Sequence, residues 1–169
     1  MRARRTLLLA LVFGALTPGS AAAADCPGAD LIPDAKNLPA VRSALVCLHN
    51  RERAKRHLPR LAQDARLRRA AVRHSADMID AGYFGHGSSF PERLVKAARP
   101  RAGWEFGENL AWGAGELATP RAVMAAWMKE PGQRGTILMR AYRKIGIGIR
   151  LGLPSDSSVG ATMTADLSS

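Results

Sequence analysis

Apolar residues in the first two thirds of the chain recur every three or four positions, the spacing of one helix face. Leu45 and Leu48 belong to a run that predicts a first helix over residues 39–57. A second helix is predicted over residues 64–82, where Gly82 is a typical helix stop. Three shorter helical segments follow, at residues 91–98, 120–129 and 133–138.

The hydrophobic period changes to two near the carboxyl end. Residues 145–151 alternate isoleucine or leucine with glycine and arginine, and residues 159–167 alternate apolar with small or polar residues. We expect these two segments to form an antiparallel pair, with residues 105–112 as a third strand. Helices first and strands later, packed on one another, indicate an α+β layered domain.

The first residues have the composition of a cleavable export signal. Three arginines are followed by an apolar run of about eleven residues and then by small residues up to Ala24. Such a run is too short to cross roughly 30 Å of hydrocarbon. We therefore expect residues 1–24 to be a signal peptide and the mature chain to lack a membrane span. The protein would be secreted, extracellular or held in the cell envelope.

The remaining chain is long enough for one core. Residues 25–38 predict an irregular lead and residues 39–169 one folded domain. Both cysteines, Cys26 and Cys47, lie in this part, and two thiols in an oxidising compartment most simply pair with each other. The bridge would tie the lead to the first helix and stabilise the fold by roughly 3 kcal/mol.

The chain is strongly basic, with a net charge of +11 that falls to +8 when the three signal arginines are removed. Nine of the basic residues lie between positions 51 and 73. We interpret them first as a solvated helix surface, and alternatively as a face that attracts anionic wall polymers or lipid headgroups. Nucleic acid is not an expected partner, because no aromatic residues are interleaved with these arginines.

Four segments together resemble the CAP superfamily, also called the SCP domain, and most closely its secreted bacterial branch. They are residues 70–78 with 82–86, residues 107–111 (GENLA), residues 127–138, and residues 142–149 with 161–166. The likeness covers about residues 45–166. It implies an α-β-α sandwich around a short central antiparallel sheet, in agreement with the periodicity.

The resemblance also implies a shallow cleft. The family's histidine and acidic residue correspond to His86 and Glu108, and Asn109 would fix backbone groups beside them. Where the pattern usually has a second histidine, this chain has Gln133. Glu130 matches a glutamate that many relatives carry three residues after the tryptophan.

The substitution by glutamine bears on metal binding. Two imidazoles suit zinc, whereas a glutamine amide is a poor ligand. His86, Glu108 and Glu130 are weak candidates for a site, and we expect no metal and no other cofactor. A structural alternative is that His86 and Glu108 form a buried polar pair that ties a loop to the sheet.

The other histidines and aromatic residues have simpler interpretations. His74 is expected to be a hydrogen-bonded core histidine, whereas His49 and His57 are expected to be exposed or half-buried without partners. Packing roles are expected for Tyr83, Phe84 and Trp127. The positions of two tryptophans, at the cleft rim or in packing, stay open: Trp104 and Trp112.

Three functions are compatible with this sequence. The leading hypothesis is a secreted, non-catalytic module that binds an envelope-associated or extracellular lipid, glycan or protein. The second is a protease-like hydrolase that uses His86 and Glu108 as acid and base, with Ser88 as a conceivable nucleophile. The third is a structural or partner-protein role with a vestigial cleft, in which the arginine-rich helix surface makes the contact.

Overall fold

The computed structural model describes residues 25–90, 92–98 and 103–169, so the segment assigned to a signal peptide lies outside the described residues. The helices are Leu38–Ala54 (α1), Ala65–Asp80 (α2), Glu92–Ala98 (α3), Pro120–Lys129 (α4) and Pro131–Leu138 (α5). The strands are Ala62–Gln63 (β1), Phe106–Gly113 (β2), Lys144–Leu151 (β3) and Ala161–Ser168 (β4), and a 3-10 turn covers Gly115–Ala118. No helix in the described ranges has both the length and the apolar character that a bilayer crossing requires.

Side-chain caps explain where several of the helices begin. The Asp64 carboxylate accepts hydrogen bonds from the second and third backbone N–H groups of α2, at 2.8 and 3.0 Å. Thr119 caps α4 and Glu130 caps α5 in the same manner. The first helix ends at Ala54, earlier than predicted, because the chain then turns and His57 takes a φ of 53°, outside the helical region.

The sheet has the order β1-β3-β4-β2. The predicted antiparallel pairing of β3 with β4 is confirmed, and the third strand, β2, lies antiparallel on the other side of β4. The two-residue strand β1, parallel to β3, was not predicted because it is too short to show a period. The register places Glu108, Asp166 and Gly146 side by side across β2, β4 and β3.

Helices cover both faces of the sheet, which confirms the α-β-α sandwich. On one face the isoleucines of β3 pack with α1, α4 and α5 into the main core around Trp127. On the other face α2 and α3 enclose a smaller cluster that includes Leu67 and Leu94. All eight residues of β4 are buried, its polar ones included, because no face of this central strand is left for water.

Glycine allows α2 to lie close against β3. A Cβ at Gly146 would overlap the backbone of Leu67 and Arg68, and a Cβ at Gly148 would overlap that of Ala71. The alternation of isoleucine and glycine in β3 therefore places bulk on one face and a helix backbone on the other.

The predicted disulfide between Cys26 and Cys47 is confirmed, with the two Cα atoms 5.7 Å apart. It joins the turns of residues 25–37 to α1. Arg121 of α4 adds a second attachment, because its side chain pairs with Asp30 and its N–H donates to the Ala29 carbonyl.

Two expectations for α1 are wrong. Arg53 is not solvated: it is fully buried and donates hydrogen bonds to the carbonyls of Pro59, Ile137, Met139 and Tyr142. These four bonds use four of its five N–H donors, and none of the acceptors is a carboxylate.

His49 was expected to be exposed or half-buried without a partner, but it is fully buried and has one. Its Nδ1 lies 2.8 Å from the Leu45 carbonyl, and its ring packs edge-on against Trp127. Burial lowers the pKa of His49 to about 4, which keeps the imidazole neutral.

Candidate functional site

A cavity of about 430 Å³ lies across the outer edge of β2, where the sheet ends. The loop after α2 reaches it from one face of the sheet, and the corner between α4 and α5 reaches it from the other. Its lining contains the five side chains named from the sequence: His86, Glu108, Asn109, Glu130 and Gln133. The other lining residues are Phe84, Gly85, Leu110, Gly132 and Thr136.

His86 and Glu108 form a direct pair. The His86 Nδ1 lies 2.8 Å from a carboxylate oxygen of Glu108, whose side chain is fully buried. The His86 side chain is 56% exposed, so the imidazole can be reached from solvent. Because the carboxylate accepts a proton held on Nδ1, neutral His86 presents Nε2 as a lone-pair acceptor.

Arg93, from α3, holds the second oxygen of Glu108. Both terminal nitrogens of the guanidinium donate to it, at 2.9 and 2.8 Å, and one also donates to the His86 carbonyl at 3.3 Å. The sequence interpretation missed this residue. The available signal was an arginine seven positions after His86 in a short helix that packs back onto α2.

Asp166 is the second residue that the sequence interpretation missed. It is fully buried directly across from Glu108, and neither of its oxygens accepts a hydrogen bond from the described residues. Burial, and then the neighbouring charge of Glu108, raise the pKa of Asp166 well above its usual range. The raised pKa favours the uncharged form of Asp166 next to the Glu108 carboxylate. The signal was an aspartate inside a strand of otherwise small and apolar residues.

His74 lies beneath the pair. It is buried, its Nε2 lies 3.0 Å from the Gly85 carbonyl, and the same nitrogen is 3.6 Å from Glu108. Burial lowers the pKa of His74 below its usual value, against the opposing effect of Glu108. This confirms a hydrogen-bonded core histidine, which also supports the loop that carries His86.

The remaining polar residues of the lining are engaged in structural contacts. Glu130 accepts from the Gln133 N–H at 2.6 Å, and backbone N–H groups there lower the pKa of Glu130. The Asn109 amide donates to the Gln133 carbonyl at 2.9 Å. Its Oδ1 is buried and accepts no hydrogen bond within the described part of the chain.

These contacts do not fit a zinc ion. His86 supplies one imidazole, Arg93 already neutralises Glu108, and Glu130 caps a helix. Across residues 25–90, 92–98 and 103–169, no three His, Cys, Asp or Glu side chains come together as a ligand set. We therefore derive no chemistry through a metal.

Two aromatic rings extend the site toward solvent. Phe84 was expected in packing, but its position in a loop beyond α2 leaves it 46% exposed. It meets Trp112, which is 52% exposed, in a perpendicular arrangement with ring centroids 6.4 Å apart. Trp112 therefore belongs to the rim, whereas Trp104 lies under the Lys144 ammonium group. Trp127 is buried, as expected.

The chain belongs to the cysteine-rich secretory protein family, CAP, whose family model matches residues 46–156. An uncharacterised Bacillus subtilis protein, YkwD, is 36% identical over 115 residues, which cover 64% of this chain and 42% of the relative. The chain thus spans less than half the length of this curated relative.

Solved structures agree on the fold. An extracellular SCP-domain protein of Bacillus anthracis matches with a TM-score of 0.61 and 25% identity, over 76% of this chain and 40% of that one. An outer surface protein of Borrelia burgdorferi has the same TM-score at 15% identity, over 82% of this chain and 97% of that one. These neighbours are extracellular or outer-surface proteins.

Proposed function

We propose that this protein is a secreted, non-catalytic binding module that holds an extracellular or envelope-associated ligand in the cavity at the edge of β2. Export rests on the signal-like first 24 residues and on the extracellular character of the similar proteins. The observation that carries the binding role is that most polar groups lining this cavity already have hydrogen-bond partners within the protein. Glu108, Glu130 and the Asn109 amide nitrogen are already bonded within the fold.

Binding is favoured over catalysis because the carboxylate is out of reach. The Glu108 side chain has no exposed surface, and Arg93 compensates its charge. An acid or base must come within hydrogen-bond distance of the group that it serves. Only His86 meets this condition in the pair, and a single exposed imidazole is sufficient for a hydrogen bond to a ligand.

Among a lipid, a glycan and a protein, a glycan matches the lining best. Phe84 in the lining and Trp112 next to it offer apolar rings, on which the C–H face of a sugar ring stacks. The exposed His86 imidazole can form a hydrogen bond with a hydroxyl or acetamido group, a contact that a lipid tail does not make. The basic surface of the chain favours glycans that carry acidic groups.

The test is retention on insoluble peptidoglycan and on lipid vesicles, each at low and high salt. We expect retention on the glycan that falls at least about fivefold for Phe84→Ala and for His86→Ala, since each loses a ligand contact. Leu117→Ala is the matched control, because Leu117 is 74% exposed and lies outside this cavity. Retention on neither material would count against the binding module. Retention on vesicles alone would replace the glycan by a lipid.

The hydrolase is the second candidate, supported by the 2.8 Å contact that orients His86. With Nδ1 held by Glu108, Nε2 has the state of a general base. Ser88 is exposed, but no hydrogen bond joins it to His86 in the described ranges. The test is to measure the hydrolysis of a panel of protease and esterase substrates by wild type and by His86→Ala. Equal background rates for the two proteins would rule out the hydrolase.

A further inference from the structure

A second cavity, of about 350 Å³, lies at the opposite edge of the sheet from the β2 site. Helix α1, the start of α2 and strand β3 enclose it. Two arginines on different helices line it: Arg42 from α1 and Arg68 from α2. Strand β3 contributes Ile145 and Ile147 to a lining that is about equally polar and apolar. The cavity shares no lining residue with the β2 site.

Neither arginine is neutralised by a carboxylate. All fourteen Asp and Glu residues of the chain lie in the described ranges, and none of them forms an ion pair with Arg42 or Arg68 there. The Nε of Arg42 is buried and has no acceptor among the described residues. The arrangement leaves a buried N–H donor of Arg42 without an acceptor beside a second positive charge.

The two guanidinium groups also act on each other. Burial lowers the pKa of Arg42, and the positive charge of Arg68 lowers it further. Asp64 is the one carboxylate in the lining, and one of its oxygens accepts from two N–H groups at the start of α2. With two cations against one anion, the cavity keeps a surplus positive charge.

We infer that Arg42 and Arg68 form a binding site for an oxyanion, a phosphate or sulfate group, separate from the cavity at β2. A guanidinium presents paired N–H groups that match two oxygens of such a group. An oxyanion between the two arginines supplies the missing acceptor for Arg42 Nε and separates the like charges. The volume of about 350 Å³ leaves room for the group to which the phosphate or sulfate is attached.

Packing fixes Arg68 at this place. The backbone of Leu67 and Arg68 lies directly on Gly146, so the first turn of α2 cannot withdraw from β3 without opening this contact. The site is therefore positioned by the packing of helix α2 on strand β3 rather than by a surface loop.

The experiment measures the midpoint of thermal unfolding at increasing concentrations of inorganic phosphate. Sodium chloride at equal ionic strength is the reference. Wild type should be stabilised by phosphate beyond the chloride effect. Arg42→Ala and Arg68→Ala should each weaken phosphate binding at least about tenfold, because the paired N–H contacts are lost. Arg69→Ala is the matched control, an exposed arginine of the same helix outside the lining, and should bind as wild type does.

Two further measurements test the site in other ways. Arg42→Lys retains the charge and the fold but loses the paired donors, so intermediate affinity supports the site. Vesicles of phosphatidylglycerol, competed with free phosphate, distinguish a lipid headgroup from a free anion as the source. The inference is overturned if phosphate acts no more strongly than chloride, or if Arg42→Ala and Arg69→Ala bind phosphate equally.

Discussion

Arg93, Glu108 and Asp166 bring one guanidinium and two carboxyl groups together where little water reaches. The side chain of Arg93 is 10% exposed and both carboxyl groups are fully buried. One positive charge balances one carboxylate, and a second buried negative charge would have no partner of its own. The raised pKa of Asp166 favours its uncharged form and so reduces this imbalance.

This assignment predicts unequal effects for two conservative substitutions. Glu108→Gln should lower the free energy of unfolding by about 3–5 kcal/mol, because it leaves the charge of Arg93 buried without a carboxylate. Asp166→Asn should change it by less than about 1 kcal/mol at neutral pH, because the raised pKa favours an uncharged group that an amide replaces without a change of charge. Urea unfolding measures both. Equal losses would mean that Asp166 is ionised in the folded protein.

At the scale of elements, the disulfide is the main tie between the turns of residues 25–37 and the sandwich. Cys26→Ser with Cys47→Ser should lower the free energy of unfolding by about 3 kcal/mol, because the unfolded chain gains the entropy of an open loop. Urea unfolding with and without dithiothreitol checks this value. The reductant should destabilise wild type by a similar amount and leave the double variant unchanged, and any effect on the double variant would contradict the explanation.

The junction of α2 with β3 gives a second prediction at this scale. Gly148→Ala should destabilise the protein by at least about 2 kcal/mol, because the added Cβ meets the backbone of Ala71 and neither element can yield without separating the layers.

Gly135→Ala is the matched control for this substitution. Gly135 lies in α5 with no atom within 4 Å of its added Cβ, so alanine there should stabilise by about 0.5–1 kcal/mol through helix propensity. Thermal unfolding of both variants measures the two opposite changes in stability. A Gly148→Ala variant as stable as wild type would refute the close contact between helix α2 and strand β3.

At the scale of the whole molecule, buried His49 makes stability depend on pH. Its pKa of about 4 in the fold lies below the ordinary value of 6.5 for an unfolded chain. The contribution of His49 is therefore complete above pH 6.5 and is lost as the pH falls from 6.5 toward 4, by on the order of 3 kcal/mol. Asp166 acts in the opposite sense, because a raised acid pKa favours the fold at low pH.

The measurement is urea unfolding at several pH values between 4 and 7. His49→Gln should flatten the loss of stability on acidification, because the amide does not titrate and can still donate to the Leu45 carbonyl. His57→Gln is the control, since His57 is exposed, and should keep the slope of wild type. Parallel slopes in wild type and His49→Gln would show that other groups control the acid response.

Much of the fold was predictable from the sequence, because the periods of three to four and of two are strong in α2 and β3. The disulfide and the grouping of His86 with Glu108 followed from cysteine number and from recognisable segments. Arg93 and Asp166 did not, since their roles depend on the register between β2 and β4 and on how α3 returns to the sheet. Arg53 and His49 were predicted to be accessible to solvent because their side chains are polar, although both lie on the buried face of α1.

The three tryptophans occupy three environments, which gives the protein an optical reporter of its own sites. Trp127 is sealed in the core and its indole N–H donates to the Leu110 carbonyl, in the same strand segment that floors the β2 cavity. Its emission should be blue-shifted and shielded from iodide, whereas Trp112 at the rim should emit further to the red and be quenched. In a protein with Trp104→Phe and Trp112→Phe, Trp127 is the one remaining tryptophan, and a change in its emission on adding ligand would report, through that hydrogen bond, on the strand beneath the cavity.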